Sequence, residues 1–210
     1  MIIQIFAKDV KYMNLAIFGG TFDPIHKGHE RVIRAVGRAM RMDRIFVMPA
    51  GDPPHKSKEN ITPAEDRLEM CRIAFSGYKK VTVSDWETLR EGKSYSYDTV
   101  KGFHALYPDD RLFFIMGSDM FLSLDKWHKI GEMLKMCIPV CLSRTGDDLK
   151  ALNDKATEVG GAIFVKVKPI VVSSTELRDM IADERWDEAG QYINADVLEY
   201  IKEHELYKRS

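Results

Sequence analysis

The chain has 210 residues, of which 45% are hydrophobic and 30% charged, and its formal net charge is −1. This composition is ordinary for a soluble globular protein of one domain, or of one domain with a small appendage. The balanced charge does not indicate a surface built for nucleic acid, and the most apolar runs, residues 112–117 and 137–142, are far too short to span a bilayer. We therefore expect neither a nucleic-acid partner nor a membrane.

The N-terminal segment precedes the first convincing strand pattern, which begins directly after Met13. We expect residues 1–12 to be an N-terminal extension and residues 13–210 to form a single domain. The segment lacks the basic start and the small-residue cleavage site of a signal peptide. The three cysteines follow no disulfide spacing, which favours reduced thiols in a cytoplasmic protein.

Short apolar runs alternate with helical patterns along the chain. The predicted strands cover residues 14–18, 44–48, 81–84, 112–116, 138–142 and 163–167. The predicted helices cover residues 27–40, 97–106, 149–158, 175–182 and 195–204. A further helix is predicted to begin at a capping box formed by Thr62 and Glu65, with Pro63 at the first helical position. This alternation predicts an α/β fold with a doubly wound, mostly parallel sheet, helices on both faces and a small C-terminal helical part at about residues 173–210.

The predicted topology singles out the loops that follow the strands. In such sheets ligands bind beyond the carboxyl ends of the strands, where the strand order reverses. The loops that begin at Gly19, at Pro49 and at Gly117 each follow a predicted strand. Gly19 and Gly20 allow a ligand to approach the backbone, but the chain has neither a GxGxxG fingerprint nor a GKS/T phosphate loop.

The segment GGTFDPIHKGH, residues 19–29, carries two histidines three residues apart at the start of a predicted helix. His26 and His29 therefore share one face, and Gly28 leaves room between them. A helix N-terminus attracts anions, so the pair is a candidate phosphate site. Two alternatives are an ordinary surface turn and a zinc site, although zinc lacks a supporting cysteine or carboxylate nearby.

The segment SSTELR, residues 173–178, forms a second candidate anion site. Ser173 and Glu176 fit a capping box, while two further hydroxyls and Arg178 converge on the same helix start. Plain capping is the alternative. Two anion sites at one edge indicate a polyphosphate held at both ends, and the chain shows no GxSxG motif or Ser–His–Asp order that would supply a nucleophile. We expect a protein that positions two substrates for phosphate transfer.

These two segments together resemble the nucleotidylyltransferase superfamily, which is marked by an HxGH signature and a distal SxTxxR-type motif, and most closely the bacterial nicotinate mononucleotide adenylyltransferases. Residues 53–56 are similar to the PPHK loop of that family, and residues 94–99 to its SYTxDT segment, with Ser96 where threonine is commoner. Residues 117–127 resemble its GxDxLxxLxxW stretch, and Tyr192-Ile193 and Glu205-Leu206-Tyr207 its C-terminal region. The resemblance runs from about Asn14 to Tyr207 and implies a Rossmann-like fold.

The resemblance implies a reaction in NAD biosynthesis. ATP and nicotinate mononucleotide would give deamido-NAD and pyrophosphate, by in-line attack of the mononucleotide's phosphate on the α-phosphorus, with no covalent enzyme intermediate. Mg²⁺ is implied as the companion of ATP, bound chiefly to its phosphates. A homo-oligomer is left open.

The resemblance also implies a set of site residues. Those implied to be catalytic are His26, His29 and Arg178. Those implied to bind ATP are Gly19, Gly20, Thr21, Phe22, His26, Gly28, His29, Gly117, Asp119, Ser173, Ser174, Thr175 and Arg178. Those implied to bind nicotinate mononucleotide are Gly20, Thr21, Lys56, Ser96, Tyr97 and Trp127.

Several of the implied roles compete with simpler ones. Ser96 and nearby backbone N–H groups are expected to read the nicotinate carboxylate, and Lys129 is a further candidate there. Trp127 is expected to stack on the pyridine ring, with core packing as the alternative. Lys56 is either a phosphate contact or a solvated lysine, and Asp119 either binds ribose or caps a helix.

Three competing identities are weaker. A phosphopantetheine adenylyltransferase would have a shorter chain and usually a threonine at the position of His26. An aminoacyl-tRNA synthetase fragment would need a KMSKS loop, which Lys56-Ser57-Lys58 matches only in part and too early in the chain. A non-catalytic nucleotide sensor would usually lack one of the phosphate-gripping residues.

Overall fold

Six parallel strands form one sheet in the computed structural model of the protein, which describes residues 12–54, 61–168 and 172–209. The strands are β1 (Asn14–Gly20), β2 (Arg44–Pro49), β3 (Val81–Val83), β4 (Arg111–Gly117), β5 (Ile138–Ser143) and β6 (Ile163–Lys166). Their order in the sheet is β3-β2-β1-β4-β5-β6. The order reverses between β1 and β4, so the switch point lies at the carboxyl ends of those two strands.

Helices cover both faces of the sheet. They are α1 (Lys27–Met40), α2 (Ala64–Phe75), α3 (Ser96–Leu106), α4 (Ser118–Leu122), α5 (Ile130–Met133), α6 (Leu149–Glu158), α7 (Ser174–Ala182), α8 (Trp186–Gly190) and α9 (Ala195–Glu203). Ala16 and Phe18 of β1 belong to a core with residues of α1, α2 and the C-terminal helices, whereas Leu15 and Ile17 belong to a core with residues of α3 and α6. Because alternate residues of a strand point to opposite faces, β1 is covered on both sides, which confirms the predicted doubly wound fold.

The predicted elements agree with the observed ones. Helices α1 and α6 have the predicted bounds, and each predicted strand lies within two residues of its observed ends. The prediction missed α4, α5 and α8, which have five, four and five residues. Such short helices contain at most about one and a half turns, too few for an amphipathic period to be recognised.

The two predicted capping boxes have different outcomes. Ser173 and Glu176 form theirs, with the Glu176 N–H donating to Ser173 Oγ at 3.1 Å and the Ser173 N–H donating to Glu176 Oε2 at 2.6 Å. The box predicted for Thr62 is wrong, because α2 begins at Ala64 after Pro63 and has no side-chain cap. The Thr62 hydroxyl instead hydrogen-bonds to Tyr207, and its carbonyl accepts from Arg67 Nε at 2.8 Å.

The cysteines and the chain ends complete the fold. Cys71, Cys137 and Cys141 are free and buried, and burial raises the pKa of Cys137 and of Cys141 to about 12, so these thiols are poor nucleophiles. In the part of the chain that the structure describes, no helix has both the length and the apolar character needed to cross a membrane. Residues 1–11 lie outside the described residues, and the boundary between extension and domain stays a prediction.

Candidate active site

A cavity of about 600 Å³ opens at the switch point of the sheet. This volume lies within the usual range for a small-molecule site. It is lined by the ends of β1 and β4, the loop after β2, the start of α3 and the segment after α4. Seven residues of the predicted site line it: Gly19, Gly20, Thr21, Ser96, Tyr97, Gly117 and Trp127.

The cavity also contains polar residues that were not predicted as part of the site. They are Glu87, Ser94, Tyr95, Lys126 and His128. Ser94 and Tyr95 belong to the SYSYDT segment, and Lys126 and His128 flank Trp127, so adjacency to a recognised motif was the available signal. Glu87 lies in a stretch without such a signal.

His26 and His29 cap the start of α1 reciprocally. The N–H of Gly28 donates to His26 Nδ1 at 3.1 Å, and the N–H of His26 donates to His29 Nδ1 at 3.2 Å. The two rings lie 3.9 Å apart between centroids, which confirms that they share one face. Because each Nδ1 accepts a hydrogen bond, the proton of each neutral ring is assigned to Nε2, which leaves two Nε2–H donors.

The histidine pair is uncharged at neutral pH. Burial lowers the pKa of His26 to about 4, and burial, together with repulsion from a protonated His26 ring, lowers the pKa of His29 well below its usual range. Phe22 packs edge-on against the His29 ring at 5.0 Å. In the free protein the pair therefore offers hydrogen-bond donors rather than positive charge.

The lowered pKa of His26 predicts a loss of stability in mild acid. In the unfolded chain a histidine binds its proton near pH 6.5, whereas folded His26 does so near pH 4. As the pH falls through this window the unfolded state binds more protons, so the free energy of unfolding should fall, by about 2 kcal/mol for His26. Urea unfolding at pH 7 and pH 4.5 checks this. The His26→Asn variant keeps a capping acceptor, and between pH 7 and pH 4.5 it should lose less stability than the wild type. An equal loss in the two proteins would contradict the assignment of the effect to His26.

The start of α7 contacts the loop that leads to the histidine pair. Arg178 Nη1 donates to the Asp23 carbonyl at 2.8 Å, and Arg178 Nη2 donates to Thr175 Oγ1 at 3.1 Å. Ser174 Oγ donates to the Pro24 carbonyl at 3.4 Å. The fold thus brings together the two predicted anion motifs, which lie about 150 residues apart in the chain.

The loop after β2 is fixed to the start of α3 by Ser94. The N–H groups of Gly51 and Asp52 donate to Ser94 Oγ at 3.0 and 3.2 Å, and the Ser94 N–H donates to the Asp52 carbonyl at 2.8 Å. Glu87 accepts from Thr99 Oγ1 at 2.6 Å and also hydrogen-bonds Ser94, and burial raises the pKa of its carboxyl. A side chain at Gly51 would collide with the Glu87 backbone carbonyl, so the loop packs directly on this segment.

Not every predicted site residue lines the cavity. Asp119 has an 85% exposed side chain and pairs with Arg144 Nη2 at 2.8 Å. Lys129 Nζ lies 5.0 Å from the centroid of the Tyr97 ring. Trp127 lines the cavity and also packs edge-on against Phe114 at 5.9 Å, so it contacts both the cavity and the core. Lys56 lies outside the described residues.

Comparison with known proteins gives a consistent family. Residues 17–180 match the family model described as cytidylyltransferase-like. A protein of Oceanobacillus iheyensis named "probable nicotinate-nucleotide adenylyltransferase" is 38% identical over 92% of this chain and 96% of its own length. A protein of Clostridium tetani with the same name is 34% identical over 92% and 98%.

Comparison with solved structures supports the fold. The Plasmodium falciparum nicotinic acid mononucleotide adenylyltransferase complexed with NaAD aligns over 93% of this chain and 98% of its own, with a TM-score of 0.78 and 22% identity. At this identity the likeness concerns the fold, and the family assignment depends on the sequence relatives. The chain belongs to the cytidylyltransferase-like family and, within it, to the nicotinate-nucleotide adenylyltransferases.

Proposed function

We propose that the protein transfers the adenylyl group of ATP to nicotinate mononucleotide, giving deamido-NAD and pyrophosphate in NAD biosynthesis. The observation that carries this is the contact between the two anion motifs, through Arg178 and Asp23, beside a cavity lined by Ser96, Tyr97 and Trp127. A polyphosphate and a second, ring-bearing substrate can thus lie side by side at one edge of the sheet. The curated relatives carry the name of this reaction.

In the proposed mechanism the protein contributes positioning and charge stabilisation. A phosphate oxygen of nicotinate mononucleotide attacks the α-phosphorus of ATP in line, and the bond from that phosphorus to the leaving pyrophosphate breaks. The Nε2–H groups of His26 and His29 donate to the non-bridging oxygens, where negative charge develops. Arg178 and the hydroxyls of Ser174 and Thr175 hold the β- and γ-phosphates.

The start of α3 is suited to the nicotinate carboxylate. Among the described residues no side chain caps this helix, so the N–H groups of Ser96 and Tyr97 are available to an anion in the cavity they line. Tyr97 is held by a hydrogen bond from its hydroxyl to Glu132 Oε2 at 2.9 Å. We assign the acid-specific contact to these N–H groups and the Ser96 hydroxyl, and the stacking contact to Trp127.

Mg²⁺ would be held by the substrate phosphates rather than by a protein site. The described residues contain no cluster of three histidine, cysteine or carboxylate groups suited to a metal. The two carboxylates that flank the histidine pair in sequence already have donors: Asp23 accepts from Tyr207 at 2.8 Å, and Glu30 accepts from Tyr78 at 2.9 Å. We therefore propose that the metal enters with ATP.

We also propose that the protein works in the cytoplasm, because free thiols are usual in that reducing compartment.

A turnover assay tests the proposed function. The purified chain is incubated with ATP and Mg²⁺ and with either nicotinate or nicotinamide mononucleotide, and pyrophosphate is measured. We expect release with the acid and much less with the amide. Release with neither, despite ATP binding in calorimetry, would identify a nucleotide sensor instead, and a preference for the amide would contradict the assignment of Ser96.

A further inference from the structure

The C-terminal motif Glu205-Leu206-Tyr207 has no role in the proposed reaction, yet the structure connects it to the phosphate-binding loop. After α9 the chain turns back with Glu205 at φ 54° and Tyr207 at φ 64°. Residues other than glycine adopt this left-handed conformation only at a cost in free energy. The Tyr207 hydroxyl donates to Asp23 Oδ1 at 2.8 Å, across 184 residues of chain. Asp23 lies three residues before His26, in the loop between β1 and α1.

Asp23 is a buried residue that accepts one hydrogen bond through its carboxylate and another through its backbone carbonyl. It is 2% exposed, and a carboxylate removed from water requires donors. Burial and the Asp23 charge raise the pKa of Tyr207 well above its usual range, so the hydroxyl keeps the proton that it donates. On the other side, Arg178 donates to the Asp23 backbone carbonyl.

Arg67 supplies the positive charge of this cluster. The residue is 1% exposed, and its guanidinium interacts electrostatically with Asp23. It donates to the carbonyls of Thr21 at 2.8 Å, Gly51 at 3.3 Å and Thr62 at 2.8 Å. The loops after β1 and β2 and the start of α2 therefore meet at one buried cation. We call Asp23, Arg67 and Tyr207 the Asp23 triad.

We propose that Tyr207 is a positioning residue that, through Asp23 and Arg67, holds the loop before α1 so that His26, His29 and Arg178 meet the phosphates of ATP. The inference rests on the proposed function. Tyr207 is not assigned a substrate contact, since its hydroxyl is engaged by Asp23 and Thr62. Its loss should therefore lower kcat more than it weakens nucleotide binding, because a small misplacement of reacting groups has a large effect on rate.

The test compares Tyr207→Phe with Tyr200→Phe. Tyr200 is a matched control, because its hydroxyl donates to Asp66 Oδ1 at 2.9 Å, on α2 beside Arg67, and not to Asp23. We expect Tyr207→Phe to lower kcat by about 10- to 100-fold with KM changed by less than about threefold, and Tyr200→Phe to leave both unchanged. Wild-type kcat in Tyr207→Phe, or an equal loss in Tyr200→Phe, would overturn the proposal.

A second readout separates this inference from the proposed function. The side-chain nitrogen resonances of His26 and His29 report the hydrogen bonds at Nδ1 without any turnover. We expect Tyr207→Phe to shift or broaden them and Tyr200→Phe to leave them unchanged, even if the wild-type chain releases no pyrophosphate. If Tyr207→Phe fails to fold, Asp23→Asn, which keeps an acceptor for the hydroxyl but removes the charge opposite Arg67, should produce the same shift. Unchanged resonances in the folded variant would overturn the proposal.

Discussion

Replacing His29 with alanine is expected to lower kcat by a factor on the order of 10² to 10³, because it removes one of the two Nε2–H donors at the transferring phosphate. The substitution also removes the acceptor for the His26 N–H, which lies 3.2 Å from His29 Nδ1. Loss of this capping interaction should cost about 1 kcal/mol of stability. Turnover should therefore fall far more than the free energy of unfolding, measured by pyrophosphate release and by urea unfolding.

His104→Ala is the matched control for this prediction. His104 is an exposed residue near the end of α3, on the other side of the sheet from α1. Its replacement should leave kcat and stability close to those of the wild type. A His29→Ala enzyme with normal turnover would mean that the histidine pair only caps α1.

Replacing Arg178 with alanine is expected to lower kcat/KM for ATP on the order of 10²-fold, because the β- and γ-phosphates lose their fixed cation. The substitution also removes the donor to the Asp23 carbonyl, so a small loss of stability should accompany it. Arg178→Lys should recover only part of the activity, since an ammonium cannot contact the Asp23 carbonyl and a phosphate with the forked geometry of a guanidinium. Steady-state kinetics with varied ATP measure the effect.

Arg185→Ala provides the comparison for Arg178→Ala. Arg185 follows α7 and pairs with Glu188 at 3.2 Å on the surface. Exposed ion pairs contribute little to stability. Loss of Arg185 should therefore change kcat/KM for ATP by less than about twofold and the free energy of unfolding by less than about 0.5 kcal/mol. If both variants behaved alike, general loss of positive charge would explain the result, and the specific role of Arg178 would be refuted.

The order of strands and helices was predictable because its signals are local. An apolar run such as residues 112–116 and an amphipathic period such as residues 27–40 depend on neighbours within a few turns, and both elements occur where they were expected. The reciprocal capping of His26 and His29 was half predictable: their spacing placed them on one face, but their use of Nδ1 as acceptors depends on the backbone geometry at the helix start. The Thr62 capping box failed because Pro63 precedes the helix, which begins at Ala64, and the Thr62 hydroxyl instead hydrogen-bonds to Tyr207, a residue distant in sequence.

The sequence by itself determined the fold class, the family and the edge of the sheet at which the cavity opens, and it predicted the two candidate anion motifs. It did so because periodicity, capping residues and motif spacing are properties of short segments. Only the tertiary structure decided that Asp119 pairs with Arg144, that Glu87 and Ser94 line the cavity, and that Asp23, Arg67 and Tyr207 form the Asp23 triad. These contacts arise where the fold brings separate elements together, at the surface for Asp119 and Arg144 and in the interior for Asp23 and Arg67, and a local pattern does not encode them.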